Sequence, residues 1–446
     1  MIIIDATGCG KGKSTNNKKL IKSNKSTKFL IIVPSLDLAN EYDSFGTCIT
    51  SETTNNVKKA ISTALNRNTR VIIITQKSFI DFDNKLMLCN ERIIIQDEHL
   101  EVLLRCRWQM DNHPGYVNMF KVDSAAINEH HEITLDNTLV DKYILSRDML
   151  DNKQFVTDLR ITPQRMFTKK SSLQPDSEIY RVLSPDMYRG ALNIYITCAN
   201  FTATRQYHLW KSLFNCKFVI KNEFVKYITP NLTIHLADQK YNSINHNKKN
   251  KSIKNAVIEY VNEHTDNPVY VDNNMYEDFD GWIRLTHNCH GVNEYKHKDH
   301  IAILSAINFD NNMISFLTNF TEMETIDVRM SLIGELAHQI IMRGVLREDN
   351  NNKCDVYLME KDIAFELSVR IFTECNAEFI DNTSRPITDI PATSNERRKA
   401  TYIRKNFPDK AHMTTRELMN EFIWICTTQR GTYTKAHKKE ELAKRK

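Results

Sequence analysis

Short runs of β-branched residues recur along this chain at intervals wide enough for a helix between each pair, and no other feature constrains the fold as strongly. In the first half they are IIID at Ile2, FLIIVP at Phe29, RVIIIT at Arg70, RIIIQDE at Arg92 and LNIYIT at Leu192. The runs are continuous rather than alternating, as strands read when both faces of a parallel sheet are covered by crossover helices. A second set follows: LTIHLA at Leu232, PVYVD at Pro268, WIRLT at Trp282, HIAILSA at His300 and CDVYLME at Cys354. The pattern predicts an α/β protein with two successive parallel-sheet units.

A chain of 446 residues exceeds one ordinary core, in keeping with two units and an appendage. The first unit is expected over residues 1–205 and the second over 206–383. Between Glu98 and Leu192 lie about ninety residues without strand rhythm, including RCRWQMDNHPGYVNMFK; residues at about 101–190 read as an insertion in the first unit. The stretch INHNKKNKSIKN from Ile244 reads as an exposed loop leading into a helix. From Ser384 the linker-like SRPITDIPATS opens a small, basic, helical appendage over 384–446 that ends in KAHKKEELAKRK.

Composition excludes several classes. A charged fraction of 26% and a hydrophobic fraction of 41% describe a globular chain, not a disordered one. The formal charge of +5 is compatible with a polyanionic partner without requiring one. Ten scattered cysteines form no C-x-x-C pair, against a zinc ribbon or a dense disulfide framework and in favour of a reducing compartment. No run approaches ~20 apolar residues, so no membrane span is expected. An intracellular, soluble protein is the expectation.

The chemistry concentrates at the ends of the predicted strands. The first strand runs into DATGCGKGKST, a loop that can turn backbone N–H groups toward phosphates and supply a lysine and a hydroxyl. Candidate contacts are Thr7, Gly8, Gly10, Lys11, Gly12, Lys13, Ser14 and Thr15. Two registers are open: Lys13 puts Ser14 where a Mg²⁺-binding hydroxyl belongs, whereas Lys11 fits the T-G-x-G-K wording but puts Gly12 there. Ser14 is the reason for preferring Lys13. The run RIIIQDEHL ends in two carboxylates, of which Asp97 can hold Mg²⁺ and Glu98 can polarise an attacking water.

With these residues in this order the chain resembles superfamily 2 helicases of the DEAD/DEAH-like kind, in particular compact phage or viral members. Asp97, Glu98 and His99 match the D-E-x-H/D box. VPSLDLANEY, with Pro34 and Ser35, is similar to the segment that contacts nucleic-acid phosphates, and IITQKSF, with Thr75, to the next backbone-contact motif. Thr197, Cys198 and Ala199 stand in place of S-A-T, which couples hydrolysis to nucleic-acid binding, and depart from its wording. THNCHGVNEY offers Gly291 and Asn293 where the family has a glycine motif touching nucleotide and nucleic acid. His287, Cys289 and His290 in the same stretch are too crowded for zinc-finger or zincin spacing.

ELAHQIIMRGVLRED resembles the last motif, Q-x-x-x-R and a second arginine, with Gln339, Arg343 and Arg347 as matches on one expected helix face. Arg347 falls one residue late.

The resemblance covers roughly residues 1–375 and implies two tandem RecA-like domains. It also implies ATP and Mg²⁺ as ligands, Asp97, Glu98, Gln339, Arg343 and Arg347 as the hydrolytic set, and movement along a nucleic-acid strand. DNA is preferred over RNA because the box reads D-E-H, and replication or recombination proteins are the expected partners. Competing readings are a nucleic-acid-stimulated ATPase switch or loading factor that does not unwind, and an ATPase unrelated to nucleic acid, such as a packaging or remodelling motor.

Overall fold

The computed structural model describes residues 1–107, 119–136, 138–139, 162–169, 173, 177–239, 242, 251–273, 279–287, 294–307, 309–381 and 383. The chain is α/β, with two parallel sheets in tandem. Its first five strands are β1 (Ile2–Asp5), β2 (Lys28–Val33), β3 (Thr47–Ile49), β4 (Val71–Thr75) and β5 (Arg92–Asp97). The insertion contributes β6 (Leu103–Arg107), β7 (Phe120–Ile127), β8 (His130–Leu135), β9 (Gln164–Thr168) and β10 (Glu178–Leu183). The chain then returns to the first sheet with β11 (Asn193–Thr197) and β12 (Phe218–Asn222).

The first sheet has seven strands in the order β12-β1-β11-β5-β2-β4-β3. The five strands expected from the sequence are its contiguous middle, and Phe29 to Val33 are fully buried, as a run covered on both faces must be. The two edge strands escaped the apolar pattern because each has one side in solvent: Val219 and Ile220 of β12 are exposed. Because β12 pairs in parallel with β1, the first sheet extends past the expected boundary at residue 205.

The insertion is itself a sheet, antiparallel in the order β6-β10-β9-β8-β7. Its strands read poorly in the sequence because much of β7, from Asp123 to Ile127, is exposed. It is anchored by aromatic packing against the helix Asn311–Phe320, which lies in the second half of the chain. Phe316 stacks on Tyr180 with centroids 4.6 Å apart, and Phe320 lies 4.6 Å from Phe167.

The second unit contains β13 (Tyr227–Ile228), β14 (Leu232–Leu236), β15 (Val269–Val271), β16 (Ile283–Arg284), β17 (His300–Ile303), β18 (Cys354–Leu358), β19 (Phe372–Thr373) and β20 (Asn376–Phe379). Six of these form a parallel sheet in the order β16-β15-β17-β18-β14-β20, and β13 pairs separately with β19. The five expected strands again occupy contiguous places, with β20 added at an edge. The helix expected after Ile244 spans Lys251–His264. The linker from Ser384 and the appendage 384–446 lie outside the described residues. Among the described residues no helix is long and apolar enough to cross a membrane.

Candidate nucleotide site

β1 ends at Asp5, and the loop that follows turns into the helix Lys13–Ser23 through two glycines in the left-handed region, Gly10 at φ 74° and Gly12 at φ 79°. A side chain would strain the backbone at either position. No side chain among the described residues caps this helix, and its first residues, Lys13, Ser14 and Thr15, line the cleft. Lys13 is 8% exposed, and its Nζ donates to the carbonyls of Thr7 at 2.7 Å and Gly8 at 3.0 Å. Lys11 is exposed. Of the two registers left open by the sequence, the one with Lys13 and Ser14 directs its lysine inward.

Asp97 closes the floor of the same site from the end of β5. Its Oδ2 accepts from Ser14 Oγ at 3.2 Å and from Tyr42 Oη at 2.7 Å, while Oδ1 accepts from Thr197 Oγ1 at 3.1 Å. Asn17 Nδ2 ties this net together by donating to Tyr42 Oη at 3.3 Å and to Thr197 Oγ1 at 3.0 Å. Burial and then the neighbouring Glu98 charge push the Asp97 carboxyl up to about 6, against the pull of the hydroxyls and Lys13. Burial, followed by the charge of Asp97, raises the Tyr42 phenol as well, so it remains a hydrogen-bond donor.

Glu98 has a left-handed backbone, φ 74°, fixed by its N–H to Thr197 O at 3.0 Å. A non-glycine residue held there costs about 1–3 kcal/mol, and such outliers gather at functional sites. Its Oε2 is buried and accepts no hydrogen bond from any described residue. An orphaned carboxylate oxygen beside Asp97 and Ser14 suits a hydrated divalent cation and a water to be activated, so the residues present fit Mg²⁺ with a phosphate chain.

The second unit lies directly across. Lys13, Ser14, Asp97, Glu98, Arg343 and Arg347 line one cleft of about 530 Å³. A Cβ at Gly10 would stand 3.3 Å from the Arg347 carbonyl oxygen. The helix expected to carry Gln339, Arg343 and Arg347 on one face ends at Ile341, and this corrects the sequence reading. Gly344 turns the chain where a Cβ would stand 2.6 Å from the carbonyl of Lys298, and a short 3-10 turn, Val345–Arg347, follows. Both arginines therefore reach the cleft from beyond the helix. Gln339 stays on it, buried, with Nε2 donating to Glu335 Oε1 at 3.4 Å, and does not line the cleft.

A further contact joins the units at the loop itself. Cys9 N–H donates to Tyr227 Oη at 2.5 Å, and a Cβ at Gly8 would collide with that oxygen at 2.3 Å. Tyr227 Oη also lies 3.4 Å from Nε2 of buried His338. Burial depresses the His338 imidazole to about 4. Neither Tyr42 nor Tyr227 was identified from the sequence. Tyr42 ends the VPSLDLANEY segment and could have been noticed there, but nothing local marks Tyr227.

Pro34, Ser35 and Thr75 lie together, because Val33 and Thr75 are in register on adjacent strands. The two hydroxyls cap short helices: Ser35 accepts from Leu38 N at 3.3 Å and Thr75 from Ser78 N at 3.2 Å. Thr15 is exposed on the cleft wall, and the Thr7 hydroxyl donates to Asp5 Oδ1 at 2.8 Å. Gly291 and Asn293 lie outside the described residues, as do Cys289 and His290.

No family model matches this chain, and no curated protein matches it. The solved structures that resemble it in the course of the chain include two described as follows. One is described as the structure of S. tokodaii Xpd4: 12% identity, TM-score 0.47, covering 84% of this chain and 95% of that one. The other is described as an XPD helicase: 10% identity, TM-score 0.47, covering 85% of this chain and 96% of that one. A likeness this distant adds nothing to the case for an activity, which stands on the residues of the cleft.

Proposed function

We propose that this protein is a Mg²⁺-dependent ATPase of superfamily 2 helicase type that moves along a nucleic-acid strand, DNA in preference to RNA. One observation carries the reading: Lys13, Ser14, Asp97 and Glu98 of the first unit face Arg343 and Arg347 of the second across a single cleft.

Each residue has a role that its surroundings support. The N–H groups of the loop and Lys13 would hold the β- and γ-phosphates, and Ser14 with Asp97 would hold the metal. Mg²⁺ would supply charge neutralisation on the phosphate oxygens. Glu98, its Oε2 without a partner among the described residues, would orient and deprotonate the attacking water. Arg343 and Arg347 would meet the charge that builds on the γ-phosphate in the transition state, so hydrolysis requires both units. Loss of that charge on product release would loosen the second unit from the first. Pro34, Ser35 and Thr75, together at the C-terminal ends of β2 and β4, are our proposed nucleic-acid contacts, and Gly291 and Asn293 are proposed to touch the nucleotide from the second unit.

The test is ATP turnover at low salt against a panel of single- and double-stranded DNA and RNA. Turnover should rise at least about tenfold with a single strand, and the gain should fall as salt is added, because phosphate contacts release counterions. Absence of Mg²⁺-dependent hydrolysis would overturn the ATPase assignment. Hydrolysis indifferent to every nucleic acid would overturn the translocase assignment and leave only a triphosphatase. Strand displacement separates a helicase from a switch that does not unwind.

A further inference from the structure

The geometry points to a second metal site, for a borderline divalent cation of the Zn²⁺ class, built by His99, Cys198 and Glu335 where the two units meet. β5 and β11 are neighbours in register through Asp97 and Thr197, so the residues just beyond them, His99 and Cys198, emerge side by side. Glu335 comes from the second unit, at the start of the helix Glu335–Ile341. A five-residue π-helical turn, Met330–Gly334, precedes it and sets the direction in which it projects; such wide turns are concentrated at functional sites.

The donor atoms, an imidazole nitrogen, a thiol sulfur and a carboxylate oxygen, all lie within 4.8 Å of one another. Around a tetrahedral Zn²⁺, bonds of about 2.0–2.3 Å leave ligand atoms roughly 3.5 Å apart, so closure requires side-chain shifts of about an ångström. His99 Nδ1 stands 2.8 Å from Glu335 Oε1, an ion pair that already brings the imidazole and the carboxylate together across the two units and that would open to admit the cation. A cavity of about 300 Å³ opens beside the cluster, lined by Ala199, Asn200, Glu335 and His338. Of the three donor residues Glu335 lines it, so a cation would enter from the carboxylate side.

The donor set separates this site from the one at Ser14 and Asp97. Sulfur and imidazole select Zn²⁺ or Co²⁺, whereas Mg²⁺ takes oxygen ligands and holds its water. On binding, the Cys198 thiol proton and, when present, the proton on His99 Nδ1 pass to solvent as the Sγ–metal and Nδ1–metal bonds form. With ligands from both units the ion would fasten them together, a brake on any cycle that opens and closes the cleft. The site does not depend on what the cleft hydrolyses.

Co²⁺ is the direct probe, because a thiolate ligand gives it an intense near-ultraviolet charge-transfer band. The full chain, with Mg²⁺ in excess, should bind one Co²⁺ with such a band, and stoichiometric Zn²⁺ should bleach it. Cys198→Ala should abolish the band while the other nine cysteines remain. Glu335→Gln should keep the band and weaken binding at least about tenfold by loss of one of three ligands. If Cys198→Ala melts early, Cys198→Ser in a matched thermal scan takes its place. A band that persists without Cys198, or cobalt binding equally tight in Glu335→Gln, would overturn the assignment.

Discussion

Replacing Lys13 by alanine, beside the matched change at Lys11, tests the geometry of the loop most directly. Lys13 is the first residue of its helix, and alanine is the best helix former, so the backbone tolerates the change. What is lost is a buried ammonium whose Nζ already makes two hydrogen bonds, to the carbonyls of Thr7 and Gly8. In the proposed complex those donors turn to phosphate oxygens. Charge-assisted hydrogen bonds contribute about 1.5–3 kcal/mol each. Two of them, about 3–6 kcal/mol of transition-state stabilisation, correspond to roughly 10²–10⁴-fold in kcat/KM. Lys11 is exposed, and its removal should change kcat/KM by no more than about threefold. Steady-state phosphate release from ATP measures both, with thermal melts to confirm that each variant folds. If Lys11→Ala collapses turnover and Lys13→Ala leaves it near the parent value, the inward lysine is not the phosphate lysine and the register is wrong.

Glu98→Gln should retain Mg²⁺-ATP binding and lose at least about a hundredfold in turnover, since it removes the base and leaves the cradle; a nucleotide-binding titration beside the turnover assay checks it, and normal turnover would refute the role. Phe316→Ala should destabilise the protein by about 3–5 kcal/mol in denaturant titrations, because Phe316 is fully buried against Tyr180, Phe167 and Phe320. The His338 imidazole is depressed by burial to about 4 from an ordinary 6.5. Its contribution to stability is therefore complete above pH 6.5 and is lost as pH falls toward 4, because the unfolded chain takes up the proton first; the interval corresponds to about 3 kcal/mol. His338→Phe, packed among Phe224, Tyr227 and Phe372, should flatten that acid-side slope in a pH series of denaturant midpoints, and an unchanged slope would assign the loss to other groups.

The sequence determined the strands that are buried on both faces and which side chains stand at their ends. Such strands can be nothing but apolar, so the central five of the first sheet were legible, as were the central four of the second together with its edge strand β16, and so were Asp97 and Glu98 at the end of β5. The edge strands β3, β12 and β20 and the insertion sheet were not legible, because a strand with solvent on one side need not keep the apolar run, as Val219 and Ile220 of β12 illustrate. The glycine-rich loop after β1 stood in the sequence with two lysines. Burial distinguished them, by placing Lys13 at the first turn of a helix and Lys11 in solvent.

Tertiary structure alone decided which side chains meet across the units. Period 3.6 put Gln339, Arg343 and Arg347 on one helix face. Close packing of Gly344 against Lys298 follows a helix that ends at Ile341, and the two arginines reach the cleft without Gln339. Tyr42 beneath Asp97, Tyr227 on the Cys9 amide, and Glu335 beside His99 and Cys198 are contacts between residues 55, 218 and more than a hundred positions apart. Local pattern carries no information about such pairs, because the geometry that joins them exists only once both sheets are built and packed.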